Sequence, residues 1–221
     1  MERVPEPELM DDPEQARAYA EADFAEANGL FVRLFRELVG DRPFVGRIVD
    51  LGCGPADIPL RLAGVYPDAR FDLVDGSEAM LRHARESWAK ARLLERARML
   101  QASLPPRDPL PASPYDAVLS NSLLHHLHAA KLLWTVIQSS GKPGAPVLVM
   151  DLKRPASRAE QEALVRAYAA DAPPVLRRDF QNSLAAAFTP EEVRRQLEDA
   201  GLARLEVNVV SDRHLAVSGR L

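Results

Sequence analysis

A glycine turn between an apolar strand and a helix is the feature that most constrains this chain. The run Ile48–Leu51 predicts a short buried strand, and Gly52-Cys53-Gly54 follows it directly. Residues from Ala56 to about Val65 then predict a helix. Two glycines two positions apart let the backbone turn tightly and approach a ligand at a helix N-terminus. The pattern therefore predicts a site for a nucleotide-like ligand.

The unit of strand followed by helix repeats along the chain. A second strand is predicted at Phe71–Asp75, and a helix at Ser77–Arg92 with Ser77 as its N-cap. Further strands are predicted at about Arg98–Ala102, Tyr115–Ser120 and Pro146–Leu152. Such alternation, with strands that are apolar on both faces, predicts an α/β fold in which helices cover both faces of a parallel sheet.

Both ends of the chain depart from this alternation. The first forty residues are predicted to be helical, with an apolar stripe that ends at Asp41-Arg42-Pro43. The members of that stripe are Leu30, Phe31, Leu34, Phe35, Leu38 and Val39. Near the other end, Thr189–Glu192 predicts a capping box at the start of a helix that ends at Gly201. The alternating residues beyond it predict a terminal antiparallel hairpin.

Composition narrows the possible partners. The 221 residues include 28 Lys or Arg and 32 Asp or Glu, a formal net charge of −4, so no overall positive field favours nucleic acid. The start, Met1–Asp12, is acidic and polar, and no stretch reaches the roughly 18 apolar residues of a membrane helix. The single cysteine, Cys53, agrees with a reducing compartment. We expect a cytoplasmic protein, monomeric or homodimeric, that binds neither nucleic acid nor membranes.

Carboxylates near the glycine turn indicate which kind of nucleotide-like ligand the site takes. Asp75 ends the second strand, 23 residues after Gly52, where a carboxylate can accept both hydroxyl hydrogens of a ribose. A dinucleotide site calls for glycine at position 57, and Asp57 stands there instead. A ligand with ribose, adenine and a cationic amino-acid tail tolerates Asp50 and Asp57, which can complement its ammonium or sulfonium group. That description fits S-adenosylmethionine.

These residues, together with the stretch Tyr115–Leu127 and the terminal hairpin, resemble class I S-adenosylmethionine-dependent methyltransferases over about Gly46–Leu221. The resemblance implies a Rossmann-like seven-stranded sheet, mostly parallel with an antiparallel last strand. It also implies methyl transfer to a small-molecule acceptor by in-line displacement. We therefore divide the chain into an N-terminal helical cap, residues 1–45, and a cofactor-binding domain, residues 46–221, which form one compact unit.

The resemblance also implies the cofactor contacts. It places the methionine tail against Asp50, Gly52 and Gly54, and the ribose on Asp75. The adenine falls beside Gly76, Met80 and the turn Ala102-Ser103, whereas the methionine amine falls at the end of the fourth strand, Ser120 and Asn121. Many members have glycine where Ala56 stands, which we expect to be a mild change. Many also have an acidic residue after the third strand, where this chain has Gln101–Leu104, so a polar adenine contact would come from Gln101 or Ser103.

Three histidines raise the question of a metal. His125 and His126 are adjacent and should diverge on a helix, and no fourth ligand is apparent beside them and His128, so we predict no metal site. One of the pair can instead face the cleft as a base or a substrate ligand, because ligands bind at the carboxyl ends of strands in open α/β sheets. The candidate substrate-binding residues are Tyr19, Asn121, Arg154 and Phe180.

Tyr19 and Phe24 could close over a sulfonium, whose charge favours aromatic faces, or could simply pack against the domain. Arg154, with Arg177 or Arg178, could bind an anionic substrate or remain a solvated charge. The fourth strand lacks the Asn/Asp-Pro-Pro-aromatic run typical of nucleic-acid and glutamine amino-group methyltransferases. Two alternatives stay open, an NAD-type nucleotide-dependent oxidoreductase and a non-catalytic S-adenosylmethionine-binding partner subunit.

Overall fold

Seven strands form one sheet in the computed structural model, which describes residues 1–7, 9–41 and 43–221. The strands are β1 (Gly46–Leu51), β2 (Ala69–Asp75), β3 (Ala97–Gln101), β4 (Ala117–Asn121), β5 (Pro146–Leu152), β6 (Glu206–Val209) and β7 (His214–Arg220). Their order across the sheet is β3-β2-β1-β4-β5-β7-β6. The strands from β1 to β5 are parallel, and β7 runs antiparallel to both β5 and β6. The predicted Rossmann-like fold with a terminal hairpin is confirmed.

Helices cover both faces of the sheet. They are α1 (Pro13–Glu21), α2 (Ala25–Val39), α3 (Asp57–Val65), α4 (Glu78–Lys90), α5 (Lys131–Ser140), α6 (Arg158–Tyr168), α7 (Pro174–Ala186) and α8 (Pro190–Asp199). One apolar cluster joins α2, α3 and α4 to the sheet and contains Trp88. The cluster on the opposite face joins α5 and α8 to the sheet and contains Trp134. No helix in the described part of the chain is both long and apolar enough to cross a membrane.

The capping signals in the sequence are confirmed. The Ser77 hydroxyl accepts a hydrogen bond from the Met80 N–H, as expected for the N-cap of α4. Thr189 and Glu192 form the reciprocal capping box at the start of α8. The proline-rich segment 104–114 forms neither helix nor strand, as five prolines in eleven residues predict.

The prediction that the first forty residues are helical is wrong for the beginning of the chain. Residues 1–7 and 9–12 form no helix, and α1 begins only at Pro13, where Asp12 caps the first turn. Pro5 and Pro7 explain the difference, because each lacks an N–H and disfavours a helical conformation in the residue before it. The apolar stripe itself is confirmed, since Phe31 and Phe35 on α2 are fully buried. The predicted end of this stripe includes Arg42, which lies outside the described residues. The division of the chain into a cap and a cofactor-binding domain at residue 45 stays a prediction.

A buried carboxylate connects the strands on one side of the sheet. Asp72 on β2 is fully buried and lies 2.8 Å from Arg47 Nη1 and 2.5 Å from Arg98 Nη2. The Tyr115 hydroxyl donates a third hydrogen bond to it, at 2.6 Å. Burial alone would raise the pKa of Asp72, but the hydrogen bonds from Arg98, Tyr115 and Arg47 outweigh it and lower the pKa. The ionised form of Asp72 therefore stabilises the fold.

Replacing Asp72 with Ala should reduce the free energy of unfolding by about 3–5 kcal/mol, because the arginines and Tyr115 lose their buried partner. Urea denaturation at pH 7 measures this loss. Because the pKa is lower in the folded state, the stabilisation is present above the ordinary value of 3.8 and is lost as the pH falls through the folded value. The variant Asp68→Ala, which removes an exposed carboxylate from the turn before β2, is the control. Equal losses in both variants would contradict the role assigned to Asp72.

Candidate functional site

A cleft of about 770 Å³ opens at the carboxyl ends of the central strands. Its floor consists of the turns that follow β1, β2 and β4, and its walls come from α1, α2 and α7. The volume falls within the range of about 300–1,000 Å³ found for small-molecule sites. Open α/β sheets bind ligands at this place, outside the carboxyl ends of the strands.

The glycine turn is fixed to the neighbouring strand by its backbone. The N–H groups of Gly52 and Cys53 donate to the Val74 carbonyl, at 2.8 and 2.9 Å. Gly52 has φ +73°, and a Cβ built on it would lie 2.8 Å from Leu123 Cδ1. Gly54 has φ +53°, and its Cβ would meet no atom within 4 Å, so this residue borders the open cleft. The two glycines therefore serve different purposes, packing at position 52 and access at position 54.

Ala56 is less mild a change than the sequence suggested. It has φ +59° and adopts the left-handed conformation immediately before α3. This conformation costs an L residue roughly 1–2 kcal/mol, a cost that glycine avoids. Its side chain is fully buried, so packing partly offsets the strain. The backbone of the turn thus explains why a third glycine suits this position.

The Asp75 carboxylate is held in place by two backbone N–H groups. Its Oδ2 accepts from Gly54 at 2.8 Å, and its Oδ1 accepts from Ser77 at 2.8 Å. Burial raises the pKa of Asp75, although these backbone hydrogen bonds act in the opposite direction. Each oxygen retains a lone pair, so the carboxylate can accept further hydrogen bonds inside the cleft that it lines.

The predicted adenine contacts lie around Asp75. Gly76, Met80, Ala102 and Ser103 all line the cleft. Gln101 does not, because its side-chain amide donates to the Gly76 carbonyl, at 3.3 Å; Ser103 is therefore the better-placed polar group. The N-terminal segment adds a wall here that the sequence did not predict. A Cβ on Gly76 would lie 2.5 Å from Leu9 Cδ2, so Leu9 packs directly over this glycine.

Two polar groups at the ends of β1 and β4 suit a cationic ligand. Asp50 is 3% exposed, and burial together with the Asp75 charge raises its pKa to about 8. Asn121 lines the same cleft, and its buried Oδ1 has no hydrogen-bond partner among the described residues. An unpaired buried carbonyl oxygen is costly unless a ligand supplies a donor. A ligand ammonium group would satisfy Asn121 and favour the ionised form of Asp50.

Three predicted ligands are already bound within the protein. Asp57 lines the cleft, but its Oδ2 lies 2.5 Å from Arg61 Nε and accepts from the Asn28 amide at 2.7 Å, so part of its charge is already paired. The Ser120 side chain is fully buried, and its hydroxyl donates to the Leu51 carbonyl instead of facing the cleft. Arg154 binds Glu192 at 2.5 Å and the Ala187 carbonyl at 3.2 Å, and it does not line the cleft. The expectations for Ser120 and Arg154 are therefore wrong, whereas that for Asp57 stays a prediction.

The expectation that His125 and His126 diverge is wrong. They lie on a 3₁₀ turn, residues Leu124–His126, and their ring centroids are 4.2 Å apart. Neighbouring groups hold the two rings together. His125 Nδ1 lies 2.5 Å from Asp151 Oδ1 and its Nε2 lies 3.4 Å from Glu6 Oε1, while His126 Nδ1 lies 3.5 Å from the same Glu6 oxygen. One carboxylate from the N-terminal segment therefore contacts both imidazoles.

The two histidines differ in protonation. Burial lowers the pKa of His125, but Asp151 and Glu6 outweigh it, so the net shift is upward. Burial and the adjacent His125 lower the pKa of His126 to about 3, so that ring is neutral. Glu6, His125 and His126 place possible ligand atoms within 4.8 Å of one another, a proximity that could hold a metal ion. Both ring nitrogens of His125 already face carboxylates, and the absence of a metal site stays a prediction.

The outer part of the cleft is largely apolar. Tyr19 and Phe24 line it with ring centroids 4.8 Å apart, and burial raises the pKa of Tyr19 to about 12. One face of α7 supplies the opposite wall through Leu176, Asp179, Phe180 and Ser183. Burial also raises the pKa of Cys53, which makes its thiol an unreactive filler beside the glycine turn. Arg177 and Arg178 do not line this part of the cleft.

The seven-stranded sheet, the glycine turn and the carboxylate after β2 agree with what the resemblance to class I S-adenosylmethionine-dependent methyltransferases implies. Residues 48–144 match the family model of a methyltransferase domain. A trans-aconitate 2-methyltransferase of Variovorax paradoxus strain S110 is 35% identical over 132 residues, which cover 59% of this chain and 47% of that protein. The enzyme of the same name from Azoarcus sp. strain BH72 is 32% identical over 124 residues, 55% of this chain and 46% of that protein. The chain thus spans about half the length of these curated relatives.

Solved structures agree with the fold. A SAM-dependent methyltransferase from Aquifex aeolicus superimposes with a TM-score of 0.67 at 19% identity, covering 95% of this chain and 98% of that one. The plantazolicin methyltransferase BpumL, in complex with SAH and a substrate analogue, has a TM-score of 0.69 at 13% identity, covering 94% and 90%. With the family-model match over residues 48–144, these similarities support a class I S-adenosylmethionine-dependent methyltransferase. They favour this family over a nicotinamide-dependent oxidoreductase.

Substituting Gly52 and Gly54 should distinguish a glycine needed for packing against Leu123 from one needed for ligand access to the turn. Gly52→Ala is expected to reduce the free energy of unfolding by about 2–4 kcal/mol, because it combines left-handed strain with overpacking against Leu123. Gly54→Ala should cost only about 1 kcal/mol, since its methyl enters open space. Urea denaturation measures both, and calorimetry with S-adenosylhomocysteine should show weaker binding to Gly54→Ala. Equal stability of the two variants would contradict this division.

Replacing Asp50 with Asn should stabilise the protein in the absence of ligand. A carboxyl whose pKa rises from 3.8 to about 8 on folding contributes stability below pH 3.8 that is lost as the pH rises towards 8. Asparagine carries no such penalty, so its melting temperature should exceed that of the parent at pH 7, by an amount equivalent to at least about 1 kcal/mol. The difference should disappear near pH 4. A variant less stable than the parent at pH 7 would mean that Asp50 is not destabilised by burial.

Proposed function

We propose that this protein transfers a methyl group from S-adenosylmethionine to a small-molecule acceptor inside the cleft. The observation that carries the proposal is a pair of complementary groups in one cavity. Asp75, held by Gly54 and Ser77, can accept hydrogen bonds from a ribose, and the unpaired Asn121 oxygen beside Asp50 can receive an ammonium group. An adenosyl amino acid requires both kinds of contact.

The turns that form the floor of the cleft also provide the remaining contacts that we propose for the cofactor. Gly54 leaves its side of the turn open, so the backbone allows the amino-acid tail to approach. The stretch from Gly76 to Met80 and the turn at Ala102-Ser103 offer a mainly apolar slot for a flat base. Asp57 contributes indirectly, by fixing Asn28 and Arg61 at the rim.

S-adenosylmethionine supplies an electrophilic methyl on a sulfonium, which the nucleophile of the acceptor takes in line while the sulfur leaves with the bonding electrons as S-adenosylhomocysteine. The protein acts chiefly by holding the reactants close and correctly oriented. The walls from α1, α2 and α7 exclude bulk water, and neutral Tyr19 and Phe24 present aromatic faces to a cation. Phe180 and Asn121 complete the proposed acceptor contacts.

A base is needed only where the acceptor must lose a proton. His126 lines the cleft and is neutral, with its Nδ1 near Glu6 and the Pro7 carbonyl, so we assign its Nε2 as a hydrogen-bond acceptor for the substrate. With a pKa of about 3 the ring is a weak base, and we assign the proton of such an acceptor to water. His125 is held between Asp151 and Glu6 and acts as a positioning residue for its neighbour. Cytoplasmic location and a monomeric or homodimeric state stay predictions.

Replacing Asp75 with Ala should weaken binding of S-adenosylhomocysteine by roughly 1.5–3 kcal/mol, about ten- to a hundredfold, because it removes the ribose acceptor. Isothermal calorimetry on the purified protein measures this change. Asp68→Ala, which removes an exposed carboxylate outside the cleft, should bind like the parent. A thermal melt of each variant establishes that the protein remains folded. Unchanged affinity in a folded Asp75→Ala protein would place the ribose elsewhere.

The proposal as a whole is tested by two measurements on the parent protein. Calorimetry should show binding of S-adenosylmethionine and S-adenosylhomocysteine, and a panel of acceptors should yield S-adenosylhomocysteine only when acceptor is present. A folded protein that binds neither compound would overturn the proposal. Cofactor binding without turnover on the whole panel would instead favour a non-catalytic partner subunit.

A further inference from the structure

Acidic groups predominate along the cleft. Among the described residues that line it, six are Asp or Glu and two are Arg. Asp50, Asp57 and Asp75 belong to the cofactor half. Three further carboxylates come from the walls, and these are Asp23, Glu26 and Asp179. Asp50 is mostly neutral at pH 7 before a ligand enters, because its pKa is about 8, and the five other acidic residues outnumber the two arginines.

Both arginines that line the cleft are already paired. Arg61 lies 2.5 Å from Asp57. Arg213 stacks on the Tyr168 ring, 3.4 Å from its centroid, and its guanidinium lies 3.2 Å from Asp212 and 3.7 Å from Glu26. A carboxylate ligand would have to displace one of these acidic partners. Binding of an anion at either arginine would therefore disrupt an existing ion pair.

The histidines and the nearby arginines outside the lining add no available positive charge. Burial and Arg213 lower the pKa of His214 to about 4, so its ring is neutral, like that of His126. His125 lies between two carboxylates. Arg3 donates to the carbonyls of Ala186, His125 and Leu127. An anionic acceptor would therefore meet no unpaired cation in the described part of the cleft wall.

Asp179 is the wall carboxylate best placed to recognise a cation. Its side chain is 15% exposed, and its Oδ2 accepts from the Gln15 amide at 2.7 Å. Its other oxygen lies 3.7 Å from Arg178 Nε, a loose ion pair with a side chain that is 69% exposed, so a ligand cation competes with Arg178 for it. Leu176, Phe180 and Ser183 share its face of α7. A carboxylate held by Gln15 thus lies beside Leu176 and Phe180 on the α7 wall of the cleft.

Building on the methyl transfer proposed above, we propose that the acceptor is an organic amine with an apolar body, which Asp179 binds in its ammonium form, and that the site rejects polycarboxylates. The ammonium releases one proton to water, and the lone pair freed on nitrogen then takes the methyl as the bond between the methyl and the sulfur breaks. A buried charge is favourable only when it is paired, which an amine achieves at Asp179 and a carboxylate does not achieve in this cleft. The chain would then differ in acceptor from its trans-aconitate methyltransferase relatives. Those relatives match 55–59% of this chain and about half of their own length, and their names do not determine its acceptor.

The test is calorimetry on the full chain saturated with S-adenosylhomocysteine. The probes are phenethylamine, hexylamine and tryptamine, each matched with a carboxylate of similar size, together with trans-aconitate. At least one amine should bind tenfold or more tightly than its matched acid, and trans-aconitate should not bind. Asp179→Asn, which can still accept from Gln15, should weaken amine binding about tenfold, as expected when a charged hydrogen bond is lost. Asp171→Asn removes an exposed carboxylate outside the cleft and should change nothing.

The outcomes separate this inference from the function on which it rests. Failure to bind S-adenosylhomocysteine would overturn the function itself. Normal binding of S-adenosylhomocysteine with no amine bound, or with trans-aconitate bound as tightly as the amines, would overturn the acceptor class alone. Unchanged amine affinity in Asp179→Asn would remove Asp179 from recognition. Unchanged S-adenosylhomocysteine affinity in that variant shows that the site remains folded.

Discussion

The hydrogen bonds between the glycine turn and β2 are the constraint on which the site depends. Val74 accepts from Gly52 and Cys53, and Asp75 accepts from Gly54 through its side chain. A single strand end thus fixes the shape of the turn and the orientation of a carboxylate in the cleft. Because both partners come from adjacent parallel strands, the positions of the turn and of the carboxylate depend on the register in which β1 pairs with β2. The proposed cofactor contacts of the turn and of Asp75 therefore depend on the pairing of β1 with β2.

Much of the fold could be predicted because its signals are local. The apolar runs of β1, β2 and β5, the capping box of α8 and the alternation in the final hairpin each lie within a few consecutive residues. The same holds for the glycine turn and the carboxylate that follows the next strand. These features depend on backbone conformation and burial, which short stretches of sequence largely determine.

Side-chain pairing over long distances could not be predicted in this way. Arg154 binds Glu192, 38 residues further along, and the Ser120 hydroxyl binds a carbonyl 69 residues earlier. Both residues have the chemistry of ligands, but tertiary structure uses them for stability. The N-terminal segment is the clearest case. Its prolines exclude helix without indicating where the segment lies, yet Arg3 binds the carbonyls around the histidine turn and Glu6 contacts both rings.

The position of β7 inside the sheet has a consequence for how the chain is made. All seven residues of β5 pair with β7, from Pro146 with Arg220 to Leu152 with His214. During synthesis β5 therefore keeps an unpaired edge until some sixty later residues have left the ribosome. An open apolar edge of this kind recruits other strands. Chains that lack β7 are expected to aggregate, because β7 covers the edge of β5 in the complete sheet.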